Sequence, residues 1–77
     1  MKVLLIFDSP CFRPRGYGFK EEFKDVDWDA ERGVRDALVA NGHEVFLLGL
    51  HNDISILLEE VKESKPDVIF NLAEVFN

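Results

Sequence analysis

Cysteine, proline, basic residues and long apolar runs are all scarce in this 77-residue chain. The single cysteine, Cys11, excludes an internal disulfide and a thiolate metal cluster, and it fits a reducing compartment. The longest apolar run, Val3 to Phe7, is far too short for a membrane span or the core of a signal peptide. The expectation is therefore a cytoplasmic protein with no membrane partner. Nine Lys and Arg against fifteen Asp and Glu leave a net charge of −6 and a pI near 4.7. Such a surface repels phosphates, which argues against nucleic acid and leaves a small molecule or another protein as the partner. Also missing are a Gly-x-Gly-x-x-Gly fingerprint, a Walker-type lysine loop, internal repeats and low-complexity stretches. His43 and His51 each lack a second ligand at metal-binding spacing.

What is present is an ordinary globular balance, 47% hydrophobic and 31% charged, which predicts a folded chain. Its length allows one domain, residues 1–77, that buries only a little over ~60% of its unfolded surface and is marginally stable. Lys2 to Phe7 reads Lys-Val-Leu-Leu-Ile-Phe without polar alternation, the pattern of a strand covered on both faces. From Asp29, a plausible N-cap, to Asn41-Gly42, the residues Ala30, Val34, Ala37, Leu38 and Val39 recur at helical spacing. Glu44 to Leu48 is a second apolar strand, with Gly49 as its stop. Asp53 then caps an amphipathic helix that carries Ile54, Leu57, Leu58 and Val61 on one face and ends at Pro66. Asp67 to Leu72 reads as a third strand.

Strand, helix, strand, helix, strand with short connections predicts a Rossmann-like α/β unit, a three-stranded parallel sheet with right-handed crossovers. In the order 3-2-1 both helices would cover one face of the sheet. In the order 2-1-3 the crossovers run in opposite directions, the helices land on opposite faces, and the central strand is buried on both. The all-apolar first strand favours 2-1-3 and three α/β/α layers.

One connection is far longer than the ~2 to 6 residues usual in such units: Asp8 to Trp28, a span typical of functional loops. It carries Phe12, Tyr17, Phe19, Phe23 and Trp28, five of the nine aromatic residues, of which Tyr17, Phe19, Phe23 and Trp28 are read as packing groups that pin the loop. Its first half, Cys11 to Lys20, bears Arg13, Arg15 and Lys20 with no acid. The second half, Glu21 to Asp29, bears five acids and one lysine.

Ligands of open α/β sheets bind beyond the carboxyl ends of the strands, where the strand order reverses. For 2-1-3 that point lies between the first and third strands. Asp8 and Ser9 leave the first strand there and Asn71 to Glu74 leave the third, so these residues and the loop form the candidate site. Arg13 and Arg15 are candidates to clamp a carboxylate or phosphate. Against this stand blander readings: a turn-capping Asp8, a solvated Glu74, solvated loop arginines, and Cys11 as a spectator thiol.

Met1-Lys-Val-Leu-Leu-Ile-Phe-Asp-Ser-Pro10, Asp29-Ala-Glu-Arg-Gly-Val-Arg-Asp-Ala-Leu38, Asn41-Gly-His-Glu-Val45 and Pro66-Asp-Val-Ile-Phe-Asn-Leu-Ala-Glu74 together resemble the N-terminal, pre-ATP-grasp domain of D-alanine–D-alanine ligase-like ATP-grasp enzymes. The resemblance spans essentially the whole chain and rests on the ordered combination rather than on any single piece. It implies a longer parent protein continuing past Asn77, with ATP and Mg²⁺ held on domains absent here, so that this segment alone does not catalyse. Ala30-Glu31-Arg32 matches the family's Ala-Glu-Arg, whose glutamate contacts the amino group of the first substrate amino acid; Glu31 inherits that role, with Glu74 as a second candidate. Two departures stand out: the long aromatic loop where the family has a short glycine-rich one, and Leu72-Ala73-Glu74 in place of His-Gly. The implied substrate is D-alanine, another amino acid or a small carboxylate.

The expectation is thus a substrate-side domain of an ATP-dependent carboxylate–amine ligase. The contrasting one is a freestanding flavodoxin-like or receiver-like module that binds without catalysis. A third expectation treats the chain as an excised folding unit; ending just after the third strand leaves that strand as a sheet edge, through which, or by exchange of the C-terminal strand, self-association is expected.

Overall fold

The structure, a computed structural model, describes residues 1–51 and 55–73. In chain order it contains β1 (Lys2–Asp8), two short 3₁₀ turns (Glu22–Lys24 and Val26–Trp28), α1 (Asp29–Ala40), β2 (Glu44–Leu50), α2 (Ser55–Ser64) and β3 (Val68–Asn71). The three strands form one parallel sheet in the order β2-β1-β3. β1 runs in register with β2 from Lys2↔Glu44 to Asp8↔Leu50, and with β3 from Val3↔Val68 to Ile6↔Asn71.

Two separate cores explain the all-apolar first strand. Because side chains alternate along a strand, Leu4 and Ile6 point to one face, where Leu48, Leu50 and Ala73 meet Ile56, Leu57 and Val61 of α2. Leu5 and Phe7 point to the other, where they meet Phe19, Phe23, Trp28 and Val34 of α1. Val3 through Phe7 are each no more than 4% exposed. The two helices therefore lie on opposite faces, as the order 2-1-3 requires. α1 contributes no fully buried residue; most of the seal on its face comes from the aromatic residues of the β1–α1 loop. Each buried phenylalanine there contributes about 1.5–3 kcal/mol through area removed from water.

The helix boundaries follow from local chemistry. α1 ends in a Schellman motif: Gly42, at φ +84°, donates to Val39 O at 3.0 Å, and His43 donates to Leu38 O at 3.1 Å. At the other end Asp29 is the first helical residue rather than the cap, a position held by Trp28. The expected cap is displaced because the 3₁₀ turn ending at Trp28 runs straight into the helix, and Asp29 pairs with Arg32 instead. The cap expected at Asp53 lies outside the described residues. β2 also differs from expectation, continuing through Gly49 to Leu50. Gly49 serves a close contact rather than a stop, since a Cβ there would sit 2.7 Å from Phe19 Cζ and 2.9 Å from Ser9 Cβ.

β3 is the least covered element. Val68, Ile69 and Phe70 are 42%, 44% and 40% exposed. Among the described residues β3 pairs only with β1, so its outer edge has no strand beside it.

Candidate functional site

The strand order reverses between β1 and β3, and parallel topology brings the N-terminal turn of α1 to the same end of the sheet. Asp8, half-buried, closes β1 there. Asn71 closes β3; its Oδ1 accepts a hydrogen bond from Ala73 N at 2.8 Å, and Leu72 N continues the ladder to β1 by donating to Ile6 O at 2.9 Å. Glu31 lies in the first turn of α1, a favourable place for a carboxylate against the helix dipole. Its Oε2 is enclosed and meets no hydrogen-bond donor among the described residues. Glu74 lies outside the described residues.

Ser9 has a structural occupation. It is 6% exposed, its hydroxyl donates to Cys11 O at 2.6 Å, its amide donates to Leu50 O at 2.8 Å, and its carbonyl meets His51 Nδ1 at 3.0 Å. These contacts turn the chain toward β2, away from the β1–β3 crevice. Arg15 then reaches α2, 2.7 Å from Glu63 and 3.5 Å from Glu60. Gly16, Tyr17 and Gly18 share a cavity of about 220 Å³ with Val45, Phe46, Leu47 and Glu60. Three consecutive strand residues point to alternating faces, so one cavity touches all three only at the strand's edge. The loop is thus a strap: it leaves the α2 face at Arg15, passes around the outer edge of β2, and drops Phe19 onto Gly49 on the α1 face.

Two residues adopt a left-handed backbone in that passage. Gly16, at φ +82°, sits in the Pro14–Tyr17 turn, closed by Tyr17 N donating to Pro14 O at 3.2 Å, at the position where a positive φ favours glycine. Phe19 adopts φ +55°, a conformation that costs an L-residue about 1–2 kcal/mol. Its ring offsets this: it is 1% exposed, meets Phe7 edge-on at 4.9 Å and Tyr17 edge-on at 4.7 Å, and lies 6.1 Å from Trp28. The expected pinning role of the loop aromatics is met by Tyr17, Phe19, Phe23 and Trp28, whereas Phe12 stays 63% exposed.

Arg13 is engaged within the strap. Its guanidinium lies 4.8 Å over the Tyr17 ring, and Nε donates to Glu22 Oε2 at 3.1 Å. The Tyr17 hydroxyl donates to the same carboxylate at 2.9 and 3.1 Å. Burial opposes the charge on Glu22, but its own backbone amide, the Tyr17 hydroxyl and Arg13 outweigh it and hold the carboxyl below its usual range. The hydrogen bond to Glu22 in turn raises the Tyr17 phenol.

No family model, curated protein or solved structure matches this chain.

The structure therefore brings Asp8, Asn71 and the Glu31 turn to one end of the sheet. It commits Ser9 to the strap's base, Arg13 to Glu22 and Arg15 to α2. Glu22 and Glu63 are structural determinants of this region that the sequence reading passed over, and Gly49, read as a strand stop, and His51, set aside as a metal ligand, belong with them; an isolated glycine within an apolar strand was the one available signal of a close approach. Two further cavities, of about 310 and 210 Å³, also border the strap rather than the crevice. Among the described residues no three His, Cys, Asp or Glu side chains gather as a metal site, and no helix is long and apolar enough to cross a membrane.

Proposed function

We propose that this chain is the substrate-side domain of an ATP-dependent carboxylate–amine ligase of the D-alanine–D-alanine ligase-like ATP-grasp kind. The observation that carries the reading is the strand order: β2-β1-β3 puts the reversal between β1 and β3, with Asp8, Asn71 and the Glu31 turn at that end. The ordered sequence resemblance supplies the chemical class. In this reading Glu31 accepts hydrogen bonds from the ammonium of an amino-acid substrate. Its enclosed Oε2, without a donor among the described residues, fits that task. Asp8 and Asn71 line the floor of the crevice. Arg13 and Arg15 reach a substrate carboxylate or phosphate only by leaving their present acidic partners. ATP and Mg²⁺ supply acyl-group activation in such ligases, and the reading places them on further domains of a parent protein. The chain alone binds substrate and does not turn it over.

The test is an amide chemical-shift titration of the chain with D-alanine, L-alanine and acetate. Saturable shifts centred on residues 8, 31 and 71–73 with one amino acid, lost in Glu31→Gln, support the proposal. Shifts that persist in Glu31→Gln remove Glu31 from its role, and the absence of shifts with every ligand overturns the site. A second reading, a freestanding flavodoxin-like or receiver-like binding module, is favoured by β1 being covered on both faces within these residues. A reading frame continuing past Asn77 into a glycine-rich ATP-binding region eliminates it, and a stop codon there supports it.

A further inference from the structure

The strap shields the outer edge of β2 from another strand without pairing with it. Glu44 N donates to Met1 O and Leu50 O accepts from Ser9 N, so the even-numbered residues of β2 direct their own N–H and C=O toward β1. Alternation along the strand then turns the N–H and C=O of Val45 and Leu47 outward, toward Gly16 and Gly18 of the strap. Among the described residues no backbone hydrogen bond joins Val45 or Leu47 to the strap. Between them lies a cavity of about 220 Å³. Half-buried peptide groups of this kind are ordinarily satisfied by a partner, and here the partner is whatever fills the cavity.

The same cavity is bordered from α2 by Glu60, which at 8% exposure is the one buried charged residue among those described. Its Oε2 accepts from Ser64 Oγ at 2.5 Å and lies 3.5 Å from Arg15, while Oε1 meets no donor among the described residues. Arg15 is drawn closer to Glu63, at 2.7 Å, so two carboxylates share one guanidinium and the group keeps a net negative charge. We propose that this cavity binds a small ligand in which an ammonium group adjoins an amide: an amino-acid amide or the amino-terminal residue of a peptide. The ammonium donates to Glu60, and the ligand amide pairs with the outward peptide groups of Val45 and Leu47, as an added strand would. Gly16 and Gly18 place no side chain in the way. The volume lies below the ~300–1,000 Å³ of sites for drug-sized ligands, which limits the occupant to one or two residues. A free carboxylate in place of the amide would meet the negative charge of Glu60, so the amide is preferred to the acid. The site lies at the β2 edge, away from the β1–β3 crevice, and is independent of the ligase reading.

Amide chemical-shift titration with L-alaninamide tests the site. Saturable shifts at residues 16–18, 45–47 and 60 are expected, with a dissociation constant on the order of 1 mM for so small a ligand. Two further ligands dissect the contact without altering the protein. N-acetylalaninamide keeps the amide and lacks the ammonium, and isopropylammonium keeps the ammonium and lacks the amide; each should bind at least about tenfold more weakly. Glu60→Gln, which keeps an acceptor for Ser64, should reduce alaninamide to the level of its acetylated form, with circular dichroism confirming the fold. Trialanine amide separates the two sources: tighter binding than alaninamide supports a peptide end, and equal or weaker binding supports a free amide. The absence of shifts at 16–18 and 45–47 with alaninamide and trialanine amide, at concentrations well above the expected constant, overturns the proposal. Equal affinity for alaninamide and N-acetylalaninamide overturns it as well, because Glu60 then selects nothing. Shifts confined to residues 8, 31 and 71–73 overturn this site and leave the crevice reading intact.

Discussion

Replacing Gly49 by alanine tests the seat of the strap. A Cβ at this position would stand 2.7 Å from Phe19 Cζ and 3.2 Å from Cε1, where ordinary contact begins at 3.4 Å. The ring must therefore retreat by about 0.7 Å, which is 3.4 minus 2.7. It has nowhere to go: Phe19 is 1% exposed and is ringed by Phe7, Tyr17, Phe23 and Trp28. The second clash, 2.9 Å to Ser9 Cβ, presses on the base of the strap at the same time. Overpacking of this kind costs about 1–3 kcal/mol, a large share of the total ~4–12 kcal/mol expected for a chain of this length. Urea unfolding followed by the fluorescence of Trp28, the sole tryptophan and part of the same aromatic cluster, measures it. Phe19→Leu, which removes the clashing ring atoms, supplies the second arm of a double-mutant cycle. The double variant should be more stable than the sum of the single losses by about 1 kcal/mol or more. A Gly49→Ala chain within 0.5 kcal/mol of the parent on the scale of an ordinary surface change, with unaltered Trp28 emission, would refute the contact and with it the path of the strap.

Gly42→Ala should cost about 1–2 kcal/mol in the same urea assay, because φ +84° is open to glycine and strained for alanine. The Arg13–Tyr17–Glu22 cluster makes the strap pH-sensitive in a defined direction. Since the Glu22 carboxyl is held below its ordinary value of 4.5 in the folded chain, its stabilisation is complete above that value and is lost as pH falls through the lowered one. Glu22→Gln should therefore flatten the acid limb of the stability–pH curve, and an unchanged limb would show that the cluster does not form in solution.

Much of this architecture was legible in the sequence because it depends on local patterns. The unbroken apolar run of β1 could be satisfied only between two helical layers, and the order 2-1-3 follows from that single strand. Asn41-Gly42 announced the end of α1 through the one backbone conformation that glycine favours there. The strap was not legible. Its course depends on Phe19 meeting Gly49, thirty residues away, and on Arg15 meeting Glu63 across the fold, and neither pairing leaves a periodicity. The same blindness explains Gly49 and Asp29. A glycine kept for close approach looks like one kept for a turn, and an aspartate before a helical pattern looks like a cap until 3₁₀ turns arrive ahead of it. Of the candidate site, the crevice floor at Asp8 and Asn71 was accessible from topology alone. Arg13 and Arg15 were legible as residue types, but their partners were not.

The strap also sets the valence of the sheet. A three-stranded unit with two open edges can add copies on both sides and grow into a ribbon, whereas one with a single open edge stops at two. Loosening the Phe19 anchor would expose the outer side of β2 and turn a chain terminator into a repeating unit. On this view the packing that holds Phe19 in place, against about 1–2 kcal/mol of backbone strain, guards against fibre growth. Variants that weaken this anchor should be lost first to aggregation, ahead of any measurable failure to fold.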